Sequence, residues 1–319
     1  MTISDKLKPD WAGEDWPSRV VNLLIQTPPI YALMKQQARR VLIKTAEKKG
    51  IPWRENYRQL EASAAPQLLD AIADPHVVYP DYYQLPFHAY DEGNLCWKAA
   101  FEAESATYAM ALRVWPGEEL TWEAAQERLR SSFLRVLEAY SPHPVRDILD
   151  LGCSVGISTL WLHRYYQNRQ PVPVRTVGLD LSPYMLSVAK IRDTHGEIQG
   201  WKHGKAEETG FSDQSFDVVT MQFLIHELPR VATREIFREV WRVLRPGGCL
   251  AIVDNNPKSA VIQNLPPVLF TLMKSTEPWS DDYYTFDVEA ALQEVGFDYK
   301  TTVESDRRHR TIIAMKPKH

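Results

Sequence analysis

The apolar positions divide the chain into two parts with different spacing. Up to about residue 140 they recur at helical intervals. Pro28-Pro29 opens a helix in which Ile30, Leu33, Met34, Ala38, Val41 and Leu42 form one apolar face, ended by Gly50 and Pro52. Shorter helices are expected around Trp53–Ala62 and Pro66–Ala73. Two longer ones follow. The first covers Leu95–Val114, with Ala99, Ala103, Ala106 and Met110 on one side, and is broken by Pro116-Gly117. The second runs from a Thr121 cap to about Tyr140, where Ser141-Pro142 stops it. An aromatic stretch interrupted by proline, Tyr79–Trp97, lies between these groups.

From Val145 the pattern changes to short apolar runs alternating with helical segments. Strands are expected at Ile148–Leu151, Arg175–Leu179, near Gln199–Lys202, and at Val218–Met221 and Leu250–Val253. The segment 257–285 is rich in proline and aromatics, with a helical pattern around Val268–Lys274. Asp287 caps a short helix that ends at Gly296. Two last strands, Tyr299–Glu304 and Thr311–Lys316, flank an S-D-R-R-H-R turn and read as an antiparallel pair.

The most informative stretch is R-D-I-L-D-L-G-C-S-V-G-I-S-T-L-W-L, from Arg146 to Leu162. It reads as a strand, a tight glycine turn and a helix whose first amides are unpaired. Asp150 at the strand's exit would repel a diphosphate but tolerate a ligand carrying positive charge. A dinucleotide G-x-G-x-x-G fails at Ser154 and Ile157. A serine-hydrolase elbow, G-x-S-x-G, fits Gly152 to Gly156 literally, with Ser154 as nucleophile and Asp254 and His309 following in the expected order. Against it, the residues before Arg146 read as helix, whereas such an elbow normally follows several strands. His309 also lies in an R-R-H-R cluster typical of a solvated turn.

The third pattern, D-x-G-x-x-x-G at Asp150, Gly152 and Gly156, resembles the first motif of the class I methyltransferases that use S-adenosylmethionine. Three further segments resemble the same family in order: V-G-L-D-L-S-P at Val177–Pro183, F-D-V-V-T-M-Q-F-L-I-H-E-L at Phe216–Leu228, and R-V-L-R-P-G-G-C-L-A-I-V-D at Arg242–Asp254. The resemblance covers the chain from Val145 onward. It implies an α/β, Rossmann-like, seven-stranded and mostly parallel sheet closed by an antiparallel hairpin. Residues 145–319 would form the methyltransferase domain, with a lid insertion at 257–285. Residues 1–144 would form a helical N-terminal cap region.

By the same resemblance Asp150, Gly152, Cys153 and Ser154 line the methionine end of the cofactor, and Gly156 completes the turn. Ser154 replaces the usual middle glycine, which is tolerable if its φ is negative; it either touches the ligand or caps the helix. Asp180 accepts both hydrogens of a ribose diol, and Ser182 then caps a helix with Pro183 at its first position. Leu181 and Met185 flank adenine, although core packing explains Met185 as well. Where the family reads G-D-A-E, this chain has G-K-A-E. Lys205 cannot accept a bond from the adenine amino group, so recognition falls to Ala206 or Glu207. Gln222 and Phe223 leave the fourth strand at the sheet's carboxyl edge, where ligands bind in such folds. His226, His88 and Tyr90 are the candidates for a catalytic base, with packing or capping as the alternative for His226.

Composition narrows the remainder. The 319 residues carry 37 basic and 41 acidic side chains, net −4, which leaves no basic nucleic-acid footprint. The fourth strand is not followed by N-P-P-Y, which argues against adenine or glutamine as acceptor. No apolar run is long enough to span a bilayer, and the first residues lack the apolar core of a signal peptide. Three scattered cysteines give no metal-ligand spacing and suggest a reducing compartment, so the cytoplasm is expected. The expected partner is a small methyl acceptor. The aromatic residues Tyr82, Tyr83, Phe87, His88 and Tyr90 point to an apolar or aromatic one, or else pack on each other. Trp279, Tyr283 and Tyr284 allow the same two readings. The other functions compatible with the sequence are the hydrolase and a cofactor-binding protein without turnover.

Overall fold

The computed structural model describes residues 16–318. The polar opening of the sequence, 1–15, lies outside them. Seven strands form one sheet: β1 (Asp147–Leu151), β2 (Arg175–Asp180), β3 (Gly200–His203), β4 (Phe216–Gln222), β5 (Leu244–Asn255), β6 (Asp298–Glu304) and β7 (His309–Met315). Their spatial order is β3-β2-β1-β4-β5-β7-β6. The first five are mutually parallel, and β7 enters antiparallel between β5 and β6. This is the Rossmann-like α/β sheet with a closing hairpin that the motifs imply.

The strands read as near-continuous apolar runs because helices cover both faces. Leu149, Leu151, Val219, Met221, Leu250 and Ile252 belong to one core. Their alternating neighbours Ile148, Val218, Cys249, Ala251 and Val253 belong to the other. β5 begins earlier than expected. Leu244 pairs with Phe216, the proline–glycine residues bulge out, and the ladder resumes at Cys249 opposite Val218.

Thirteen α-helices are described. Those before the sheet are α1 (Trp16–Ile25), α2 (Pro28–Lys48), α3 (Trp53–Glu61), α4 (Ala65–Ile72), α5 (Trp97–Val114) and α6 (Trp122–Tyr140). Within the sheet region lie α7 (Ile157–Gln167), α8 (Pro183–Arg192), α9 (Arg230–Val243), α10 (Ala260–Gln263), α11 (Pro267–Lys274), α12 (Ser280–Tyr284) and α13 (Val288–Val295). The caps are those the sequence marks. Thr121 accepts from the Ala124 amide, Ser182 from Met185 and Asp287 from Ala290, and Gly296 ends α13 at φ +110°. The early helices pack onto the sheet layer, α4 and α5 against α8 and α6 against α7. One expectation for α2 fails. Its buried residues are Ile43 and Ala46, while Ile30, Leu33 and Val41 are exposed.

The turn after β1 is fixed by packing as well as by φ. Gly156 sits at φ +78°, and a Cβ there would lie 2.4 Å from the Trp201 ring. Gly156→Ala is therefore expected to destabilise the fold by about 2–4 kcal/mol, from left-handed strain plus overpacking. Urea denaturation checks this; an unchanged midpoint would contradict it.

Candidate functional site

The carboxyl ends of β1, β2 and β4 converge on the glycine turn. The amides of Gly152 and Cys153 both donate to the Leu179 carbonyl, at 2.8 and 3.1 Å, which locks the turn to β2. Leu224, after β4, lies over Gly152: a Cβ on that glycine would meet its side chain at 2.7 Å. Cys153 is buried, and burial pushes its thiol pKa well above the ordinary value.

Asp180 lies at the end of β2 and is 8% exposed. Its Oδ2 accepts from the Ser154 amide at 2.7 Å and its Oδ1 from the Ser182 amide at 2.8 Å. Burial raises its pKa to about 6, against the pull of these amides. It is therefore mainly ionised at neutral pH, and each oxygen keeps acceptor capacity beyond one amide bond. These are the properties a ribose diol requires.

Ser154 departs from expectation. Its φ is +49°, not negative, so it occupies a conformation that glycine adopts without steric cost. Nor does it cap α7, since its Oγ donates to Met185 Sδ at 3.6 Å. That contact also leaves the hydrolase reading without a base on Ser154. His309 is paired with Asp306 at 2.7 Å, and Asp254 with His226 at 2.8 Å.

Asp150 is 1% exposed and its oxygens are occupied from within. They accept from Thr220 at 2.6 Å, Thr159 at 2.7 Å and Gln222 at 3.4 Å. Burial raises its pKa against the pull of these donors, and it is a carboxyl occupied from within beneath the turn, not a group open to ligand; Gln222 is partly committed to it. Phe223 takes φ +57°, and its ring packs 5.1 Å from His309 and against the core of α5 and α6. Met185 belongs to the core shared with α4 and α5. Leu181 is 9% exposed, and its carbonyl lies 3.0 Å from Nε2 of His203. Since His203 Nδ1 accepts from the Asp74 amide at 2.9 Å, Nε2 carries the proton and donates.

At the predicted adenine end, Lys205 lies 3.2 Å from Glu208 and Ala206 is buried. Glu207 Oε1 accepts from the Tyr82 hydroxyl at 2.5 Å, while its Oε2 is buried without a partner among the described residues. A buried lone acceptor of this kind suits a donor such as an exocyclic amine. The residues present therefore fit S-adenosylmethionine at two points, Asp180 and Glu207.

Of the three base candidates the structure brings two together. His226 Nδ1 lies 2.8 Å from Asp254, an ion-pair distance, although its N–H is not aligned for a hydrogen bond. Burial opposes its charge, but Asp254 outweighs this and raises its pKa to about 10. An imidazolium cannot accept a proton, so His226 carries charge at neutral pH and is no base there. His88, at φ +47°, has Nε2 3.6 Å from Glu227 Oε1. Desolvation and the His226 charge hold its pKa below the ordinary histidine value. Tyr90 points elsewhere, donating to Glu102 at 2.6 Å with its phenol pKa raised by burial.

Glu227 is the residue that sequence reasoning passed over. Burial raises its pKa to about 8 even though the His226 charge lowers it. Asn94 donates to it at 3.4 Å. It borders a narrow cavity of about 30 Å³, lined also by Tyr82, Tyr83, Leu85, Phe87 and Leu224. Burial raises the Tyr83 phenol well above its ordinary pKa, helped by the charges of Asp180 and Glu227. Tyr83 therefore lies near both ends of the site. His88, His226 and Glu227 each offer one ligand atom within 4.8 Å of the others, a grouping that spacing along the chain did not reveal. In the insertion Tyr283 and Tyr284 are core residues, while the Trp279 indole donates to the Tyr82 carbonyl at 3.3 Å.

Residues 149–252 match the family described as methyltransferase domain. An uncharacterised methyltransferase of Synechocystis is 31% identical over 162 residues, half of this chain and 71% of that protein. The chain thus belongs to the class I methyltransferases that use S-adenosylmethionine. A demethylmenaquinone methyltransferase of Listeria monocytogenes is 40% identical over 81 residues, a quarter of this chain and only 33% of the relative. The structure of a methyltransferase from Aquifex aeolicus matches at TM-score 0.47 and 17% identity, over 66% of this chain and 98% of that one. Among the described residues no helix is long and apolar enough to cross a membrane.

The His226–Asp254 pair has a pH signature. A histidine whose pKa is raised on folding stabilises fully below its unfolded value of about 6.5 and loses that contribution as pH climbs through about 10. The melting temperature should fall across this window, and less steeply in Asp254→Asn. Equal slopes in the two proteins would contradict the pairing.

Proposed function

We propose that this methyltransferase acts on a small aromatic acceptor of quinol type, whose hydroxyl proton is taken by Glu227. The observation that carries this reading is a half-buried carboxyl with a pKa of about 8 set beside the aromatic side chains of Tyr82, Tyr83 and Phe87. A base works best when its pKa lies near the operating pH. Tyr82, Tyr83 and Phe87 supply the apolar walls that an aromatic acceptor needs. The relatives named demethylmenaquinone methyltransferase support the same acceptor class, although each is matched over less than half its length.

S-adenosylmethionine supplies the transferable methyl when bound. Asp180 is proposed to grip the ribose hydroxyls, Glu207 to accept from adenine, and Leu224 with the Gly152 turn to shape the methionine slot. Met185 and Phe223 serve as packing around that site, and Asp150 as a buried hydrogen-bond acceptor that ties the turn to β4 and α7. The segment 257–285 acts as a lid over the acceptor: the Thr276 carbonyl accepts from the His88 amide at 2.9 Å, and Trp279 holds Tyr82. His226 keeps positive charge next to the developing acceptor anion, and His88 lies within reach of the Glu227 proton. Orientation and proton removal are this chain's contributions to an in-line transfer.

With a quinol acceptor, kcat/KM should rise with pH and level off above about 8. Glu227→Gln should lower it by about 10²–10⁴ and flatten that limb, with cofactor affinity unchanged. A retained limb in the variant would remove Glu227 from proton transfer. Turnover of no quinol or phenol by the wild type would remove the acceptor class.

A further inference from the structure

The outward face of α2 is unusual for a solvent-exposed helix. Ile30, Leu33 and Val41 are 41%, 66% and 53% exposed. Interleaved with them at helical spacing are the exposed Arg40, Lys44 and Lys48. Among the described residues these three cations have no carboxylate partner. The cations that do pair, Lys35 with Asp91 and Arg39 with Glu102, lie on the other side of the helix. On α1, Trp16, Val20 and Leu23 recur at i, i+4 and i+7 with exposures of 76%, 39% and 65%. Leu269 on α11, the helix that α1 packs against, is 50% exposed.

Charge selects the occupant of this face. Residues 16–49 hold seven basic side chains and one acid, Glu47, on a chain whose net charge is −4. Glu47 is itself bound to Arg54. Bulky apolar groups interleaved with unpaired cations are the chemistry that seats a helix in the headgroup layer of an anionic bilayer. We propose that α1 and α2 form a docking surface for an anionic lipid membrane.

The surface is continuous with the elements over the acceptor cavity. The Tyr31 hydroxyl on α2 donates to the Ser275 carbonyl at 2.6 Å, and the adjacent Thr276 carbonyl holds the His88 backbone. Docking here places the mouth of the aromatic cavity near lipid, where apolar acceptors partition. The docking itself needs neither acceptor nor cofactor, so it stands or falls apart from the quinol reading.

Flotation of the full chain with vesicles tests it. The probes are phosphatidylcholine vesicles with and without about one-third phosphatidylglycerol, at about 0.05 and about 0.5 M salt. The wild type should bind the anionic vesicles at low salt at least about tenfold more tightly than the neutral ones, and lose most of that preference at high salt. Combined Trp16→Ser, Leu23→Ser and Leu33→Ser should weaken binding by at least about tenfold. Combined Arg40→Gln, Lys44→Gln and Lys48→Gln should weaken it by about fivefold per charge and abolish the preference for anionic lipid. Melting temperature and S-adenosylmethionine affinity equal to wild type in both variants establish that they are folded. Absence of flotation with anionic vesicles would overturn the proposal, as would wild-type binding by both folded variants. Binding that appears only after residues 1–15 are removed would assign the face to that segment. A dimer in sedimentation that the serine variant loses, without vesicle binding, would assign it to a second copy.

Discussion

Asp180 is the constraint on which the cofactor side of this molecule rests. A buried carboxylate is costly unless hydrogen-bonded. Here the two amides that satisfy it, from Ser154 and Ser182, come from two different strand-to-helix turns. One group thereby fixes the glycine turn after β1 relative to the start of α8. The amide of Ser154 reaches it while Ser154 holds a left-handed conformation, a local strain kept in place by the surrounding bonds. Ser182 has three roles at once. Its amide donates to Asp180, its hydroxyl oxygen caps α8, and its hydroxyl donates to the Asn94 carbonyl at 2.6 Å.

That last bond carries the constraint across to the acceptor side. Asn94 belongs to the aromatic stretch before α5, and its side chain reaches Glu227. The same stretch provides Tyr82 to Glu207 and His88 to Glu227. Two acids from the sheet's carboxyl edge are thus partnered by residues that lie far earlier in the chain. The stretch between α4 and α5 lies against both acids and contributes to the polarity around them. Adjacent in the chain, Glu227 and His226 are pushed to unusual pKa values by desolvation and by the charges around them.

The sequence shows the parts of this arrangement that are local. β1, the glycine turn, the Ser182 cap and Asp180 follow from residues within a few positions of each other. The Thr121 and Asp287 caps do so too. What it hides is set by distant contacts. The stripe of Ile30, Leu33 and Val41 has helical period, but periodicity does not say which way a stripe faces; Ile43 and Ala46 turned inward instead. The φ of Ser154 depends on where Asp180 sits, 26 residues later. His226 reads as a base in isolation and becomes a cation only beside Asp254. Glu227 carries no motif of its own, and its importance arises from a cavity built by the Tyr79–Trp97 stretch. The bulge that extends β5 back to Leu244 was concealed by a proline–glycine turn that usually marks a strand's start.

The proposed hold of Asp180 on a sugar diol can be measured by a binding cycle. Calorimetry would compare S-adenosylhomocysteine with its 2′,3′-dideoxy analogue on the wild type and on Asp180→Ala. Charged hydrogen bonds to the diol predict that removing the hydroxyls costs the wild type about 1.5–3 kcal/mol and the variant close to nothing. An equal loss on both proteins would show that the sugar is held elsewhere, and the site would have to be redrawn.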